Sequence, residues 1–168
     1  MIGDIDAIKK KNRRLGMLLG ILALVIIAGV ALPTKYEVHA AIPEQVITIE
    51  YTPYLENMGP LAQKPYLLLE FFTTDCGFCK ASVSELNVLN EHAKIGVVAY
   101  TYESKSKVNA FIKEQQARYA ISRASAKFRN QFAHQGVPSS YLVDTASHKV
   151  IAGFVGKVKA KEVLDAIE

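Results

Sequence analysis

The stretch Tyr66-Leu67-Leu68-Leu69-Glu70-Phe71-Phe72-Thr73-Thr74-Asp75-Cys76-Gly77-Phe78-Cys79-Lys80 joins an apolar run of strand length to a Cys-x-x-Cys, and that to a helix-forming segment. A cysteine pair spaced this way, where a strand hands over to a helix, reads as a redox dithiol. Unpaired N–H groups and the helix dipole stabilise an anion at a helix N-terminus. A thiolate placed there forms below its ordinary pKa, and such thiolates are the reactive ones. The i, i+3 spacing on a first helical turn brings the two sulfurs within bonding range. Cys76 is read as the attacking, more exposed thiol, and Cys79 as the buried thiol that resolves a mixed disulfide.

Competing readings of the pair are weak. The chain has only 2 cysteines, so neither has another partner. A structural bridge across so short a loop adds little stability. Zinc needs further ligands, and His39, His92, His134 and His148 show no ligand-like spacing. No metal or other cofactor is therefore expected, with copper held by the dithiol alone as the alternative.

Upstream of this stretch the chain changes character. Residues 1–14 carry Lys9, Lys10, Lys11, Arg13 and Arg14 against Asp4 and Asp6, whereas residues 15–32 carry no charge. At about 1.5 Å per residue that run nearly spans a hydrocarbon core of about 30 Å. The cationic flank belongs in the cytoplasm, which places everything after the span outside it. A cleavable signal peptide ending near Val38-His39-Ala40 is the alternative, and it exports the domain equally. The expected organisation is a cytoplasmic N-terminus (1–14), a transmembrane anchor (15–32), a linker holding Pro33 and Pro43 (33–45) and one domain (46–168).

Within that domain, residues 46–51 alternate, with Ile47, Ile49 and Tyr51 on one side and Thr48 and Glu50 on the other, which predicts a half-buried strand. A loop over 53–65 leads into the central strand. Beyond the cysteines, Val83, Leu86, Leu89 (or Asn90) and Ala93 predict a first helix, and 95–101 a continuous apolar strand. A second helix is expected over 106–116, capped by Ser104 or Ser106, with Val108, Phe111 and Ile112 facing inward. A short strand over 119–122 and a third helix over 124–134 follow. A hairpin (140–144 and 150–155) and a closing helix with Ala160, Val163, Leu164 and Ile167 inward complete the chain. Strands alternating with helices and closing in a hairpin indicate an α/β fold around a mixed sheet. The net charge of +4 gathers mostly at the N-terminus, with no basic stripe interleaved with aromatics, so nucleic acid is not an expected partner.

Three segments together resemble the thioredoxin superfamily. Leu69-Glu70-Phe71-Phe72 followed by Cys76-Gly77-Phe78-Cys79-Lys80 is similar to its strand, active site and following lysine. Gly136-Val137-Pro138-Ser139-Ser140-Tyr141-Leu142-Val143-Asp144 is similar to its cis-proline loop and next strand, and Val150-Ile151-Ala152-Gly153-Phe154-Val155-Gly156 to its last strand. The resemblance covers roughly residues 45–168 and extends, with the anchor, to the TlpA/ResA branch. It implies a thioredoxin-like fold: a central mixed β-sheet flanked by helices, here preceded by one transmembrane helix. It also implies a Cys76–Cys79 redox disulfide, and a buried Glu70 that relays a proton to or from Cys79. Pro138 becomes a cis-proline against that disulfide, and Val137 the residue whose backbone pairs with substrate. Gly77 and Phe78, between the cysteines, join Val137 and Pro138 as candidate substrate-binding residues. Gly153 or Gly156 would allow close backbone approach.

Two positions depart from the family pattern. Asp75 stands where thioredoxins carry tryptophan, and a carboxylate there opposes thiolate formation and favours a more reducing couple. Phe78 replaces the familiar proline, which brings the motif closer to that of periplasmic disulfide isomerases. The expected function is a membrane-anchored thiol–disulfide oxidoreductase outside the cytoplasm, reducing disulfide-bearing client proteins and re-reduced by a transmembrane electron donor. The alternatives are a disulfide oxidase or isomerase, or a thioredoxin-like module that binds copper or a client without turnover.

Overall fold

The computed structural model describes residues 42–43, 46–54, 63–132 and 136–168. The expected cytoplasmic segment, the anchor over 15–32, most of the linker and most of the loop over 53–65 lie outside the described residues. Among the described residues, no helix is long and apolar enough to cross a membrane.

The apolar run forms β1 (Tyr66–Phe71), every residue of which after Tyr66 is buried. Such a strand belongs in the middle of a covered sheet. β1 pairs in parallel with β2 (Ile95–Thr101), which requires a crossover, and α1 (Gly77–Glu91) supplies it. After α2 (Lys105–Gln115), β3 (Ala120–Arg123) adds in parallel to β2. Beyond the short α3 (Ala126–Arg129), β4 (Ser139–Asp144) and β5 (Lys149–Val155) form the antiparallel hairpin. β4 pairs antiparallel with β1, giving the mixed sheet order β3-β2-β1-β4-β5. The chain closes with α4 (Ala160–Asp165).

Strand alternation divides the core into two layers. One layer joins Leu68 and Phe72 with Val97, Ala99 and Leu142 beneath α1, α2 and α4. Ala160, at the start of α4, donates its N–H to Glu85 of α1 at 2.9 Å. The other layer is largely aromatic: Phe71 lies 5.6 Å from Tyr100 and 5.1 Å from Phe132, and Phe132 lies 4.7 Å from Tyr141, between ring centroids.

Two expectations need correction. Residues 46–51 do not form a strand. Ile47 donates its N–H to His148 in the β4–β5 turn, Glu50 accepts the Tyr100 hydroxyl, and residues 52–54 bond to β3 with a single bridge at Pro53–Ser122. The segment therefore straps the aromatic layer, and its alternation reflects Ile47, Ile49 and Tyr51 packing onto that layer. The third helix is also shorter than 124–134. After Arg129 the bonds tighten to i→i−3, and the Gln131 side chain turns to bond both the N–H and the carbonyl of Thr48 in the strap. Phe128 and Phe132 are nevertheless both buried. Smaller differences lie at element ends: Ala93 is exposed beyond α1, and Ser104 rather than Ser106 caps α2.

Candidate active site

Cys76 is the N-cap of α1, with extended backbone, and its Sγ accepts the Cys79 N–H at 3.1 Å. Gly77, Phe78 and Cys79 form the first turn, which contains no acidic residue to compete with the Cys76 sulfur for the positive end of the helix. The two cysteines are joined as a disulfide with their Cα atoms 5.2 Å apart. Cys76 is half-buried and Cys79 is 1% exposed, so Cys76 is the more accessible of the two sulfurs.

The loop before β4 closes over this helix start. The Val137–Pro138 peptide is cis, and the Val137 carbonyl oxygen lies 3.8 Å from Cys76 Sγ. Gly136, at φ +112°, delivers the chain into this loop, and its carbonyl accepts the Ser139 hydroxyl at 2.6 Å. Of the two candidate glycines, Gly156 ties to the loop: it has φ +85° and donates its N–H to the Pro138 carbonyl at 3.0 Å. Gly153 is a buried residue within β5.

Phe78, at 66% exposed, and Val137, at 43%, present apolar surface to solvent at the two segments that meet at Cys76. Beside Val137 a cleft of about 410 Å³ is lined by Phe71, Tyr100, Tyr102, Arg129 and Phe132. The Arg129 guanidinium stands 5.7 Å over the Tyr102 ring.

Glu70 is 1% exposed, and burial raises its carboxyl from the ordinary range to about 8. By strand alternation it lies between Leu68 and Phe72, on the sheet face that also packs Cys79. A buried carboxyl raised to about 8, on the same sheet face as Cys79, can exchange a proton near that pH. Directly opposite it on β4 stands Ser140, which is fully buried.

Asp75 behaves differently from its sequence expectation. Its carboxylate is exposed and paired with Lys107 Nζ at 3.4 Å. Lys107 also pairs with Glu103 at 3.3 Å, and these hydrogen bonds, that to Glu103 first, raise the lysine pKa. The Asp75 charge is thus partly neutralised and solvent-screened, which weakens the argument from Asp75 for a reducing couple. Glu103 in turn accepts the N–H and hydroxyl of Thr74, tying α2 to the turn that carries Cys76.

Cys76, Cys79, Val137 and Pro138 are gathered at one end of the sheet, with Gly77 and Phe78 in the same helical turn and Glu70 below. Sequence reasoning missed Glu103, Lys107 and Ser140. Only Ser140 carried a local signal, being a polar residue directly before the apolar run Tyr141-Leu142-Val143.

The sequence matches no protein-family model and no curated protein. Solved structures share its architecture at low identity. A thioredoxin-related protein from Neisseria meningitidis serogroup B aligns with TM-score 0.59 and 15% identity, over 70% of this chain and 96% of that one. StoA from Bacillus subtilis aligns with TM-score 0.54 and 17% identity, over 63% and 85%. A putative thiol:disulfide interchange protein DsbE from Chlorobium tepidum aligns with TM-score 0.54 and 21% identity, over 61% and 80%.

Proposed function

The described domain has the thioredoxin fold, and on that fold we propose that this chain is a thiol–disulfide oxidoreductase reducing the disulfides of partner proteins. The observation that carries the reading is the Cys76 sulfur at the N-cap of α1, bonded to a buried Cys79 on the sheet face that also holds the buried Glu70. The Cys76 thiolate attacks one sulfur of a client disulfide. A Cys76–client bond forms, and the client's other sulfur leaves as thiolate and takes a proton from solvent. Cys79 then gives its proton to the Glu70 carboxylate and attacks Cys76 Sγ. The Cys76–client bond breaks, the client's second sulfur leaves as thiolate and takes a proton, which Glu70 returns by way of solvent, so the client departs as dithiol and Cys76–Cys79 is oxidised. A transmembrane dithiol donor returns two electrons for the next cycle.

The location follows from the charge-free run over 15–32 and its cationic flank, which support an anchor with the domain outside the cytoplasm. That arrangement, with a thioredoxin-like domain behind it, is the one the TlpA/ResA branch resembles. Insulin reduction by the full chain in detergent, compared with Cys79→Ala, tests the reading: loss of turnover is expected, and turnover that survives would sink the two-thiol mechanism. The reduction potential of the couple tests direction. A value near about −270 mV marks a reductase, whereas about −120 mV would make the protein an oxidant.

A further inference from the structure

Glu70 Oε1 and Ser140 Oγ are both buried, and among the described residues neither has a hydrogen-bond partner. An unpartnered buried polar atom is unfavourable and calls for an explanation at each site where it occurs. Here the two atoms are not scattered: Glu70 and Ser140 are register partners across the antiparallel β1–β4 pair, so their side chains leave the same face of the sheet. Cross-strand partners have Cβ atoms about 5 Å apart, which a glutamate and a serine span by rotation about their side-chain bonds.

We propose that Ser140 is a positioning residue for proton transfer at Cys79, its hydroxyl holding the Glu70 carboxyl in both protonation states. A serine hydroxyl donates to a carboxylate and accepts from a carboxylic acid, so one side chain serves Glu70 before and after it takes the Cys79 proton. Donation to the charged form favours that form and offsets part of the penalty of burial. Without it, a smaller share of Glu70 is charged at working pH and able to accept the Cys79 proton.

The groups packed around Glu70 leave this role open. Its β2 partner is Ala99, and the buried residues of α2 and α4 on this face are Val108, Phe111, Ala160 and Val163. Cys79 of α1 lies in the same core layer. Tyr119 feels the Glu70 charge, but its own pKa is raised, by burial first and by Glu70 second, so it remains a neutral phenol. The Tyr54 hydroxyl is engaged with the carbonyls of Thr101 and Glu103.

This inference rests on the proposed mechanism but is read separately from it, by titrating Glu70 in the oxidised full chain, where no client turns over. Difference infrared spectroscopy of the carboxyl band, assigned with Glu70→Gln, follows the titration in wild type, Ser140→Ala and Ser140→Thr. The expected result is a higher Glu70 midpoint in Ser140→Ala, by about one pH unit for a lost hydrogen bond to a charged group, and a wild-type midpoint in Ser140→Thr. The pH profile of mixed-disulfide resolution should move alkaline by the same amount in the alanine variant. An unchanged or lowered midpoint in Ser140→Ala, or an equal rise in both variants, would overturn the proposal. A wild-type protein that fails to reduce insulin would refute the oxidoreductase reading and leave the titration result standing.

Discussion

The Glu103 carboxylate accepts the backbone N–H of Thr74 at 2.5 Å and its hydroxyl at 3.1 Å, from 29 residues further along the chain. Through this pair the start of α2 holds the turn that presents Cys76. Glu103→Ala leaves the Thr74 donors without that acceptor and should destabilise the fold by about 1–3 kcal/mol, with Glu103→Gln recovering part of the loss. Urea unfolding measures it, and an unchanged midpoint with an unchanged m-value would show that the contact contributes nothing.

Glu70 makes stability depend on pH. In the unfolded chain a glutamate ionises near about 4.3. Burial raises Glu70 to about 8, so between these values the folded protein binds a proton that the unfolded chain has released. Stability contributed by the neutral carboxyl is complete below the unfolded pKa and declines as pH rises toward about 8, by about 1.4 kcal/mol per unit. Glu70→Gln should flatten that decline. Denaturant midpoints at pH 5, 6, 7 and 8 (chosen to bracket the window) check it, and parallel curves for the two proteins would exclude this role of Glu70.

Lys64 donates to the carbonyls of Asn90, His92 and Ile95 at 2.6, 3.0 and 2.9 Å. The ammonium thus meets the negative end of α1 and the start of β2 together. Lys64→Met keeps the aliphatic stem and removes the donors, with an expected loss of about 1–3 kcal/mol. Amide exchange should accelerate first at His92 and Ile95, and uniform acceleration across the sheet would contradict a local role.

Phe78 and Val137 flank Cys76 with exposed apolar surface. Phe78→Ser should leave stability within about 0.5 kcal/mol, as is usual for exposed positions. It should raise KM severalfold for insulin but not for a small aromatic disulfide, whose sulfur needs no docking surface. Equal effects on both substrates would indicate that Phe78 acts on the disulfide itself.

Much of this arrangement is readable from the chain because it is local. The apolar run 66–71, the Cys-x-x-Cys after it and the apolar 95–101 each declare an element without reference to anything distant. What escaped depends on partners far apart in sequence. Residues 46–51 alternate as a strand does, but their N–H and carbonyl groups bond to the β4–β5 turn, to Tyr100 and to β3, and no local pattern specifies that. α3 stops early because Gln131 serves the strap. The influence assigned to Asp75 changed because Lys107, 32 residues away, stands beside it.

The division of β1 between two layers has a consequence for how the strands find their alignment. Both faces of β1 are buried, so apolar pattern alone does not distinguish the native register from one shifted by a residue. Leu67, Leu69 and Phe71 would exchange places with Leu68 and Phe72 at modest loss. Glu70 breaks that degeneracy, since a shift by one would move its carboxyl from the side of Ser140 and Cys79 into the packed rings of Tyr100, Phe128 and Tyr141. The one buried carboxyl of β1 thereby also marks the correct pairing. A Glu70→Leu chain would keep the burial and lose the mark, which a lower yield of correctly paired protein on refolding would reveal.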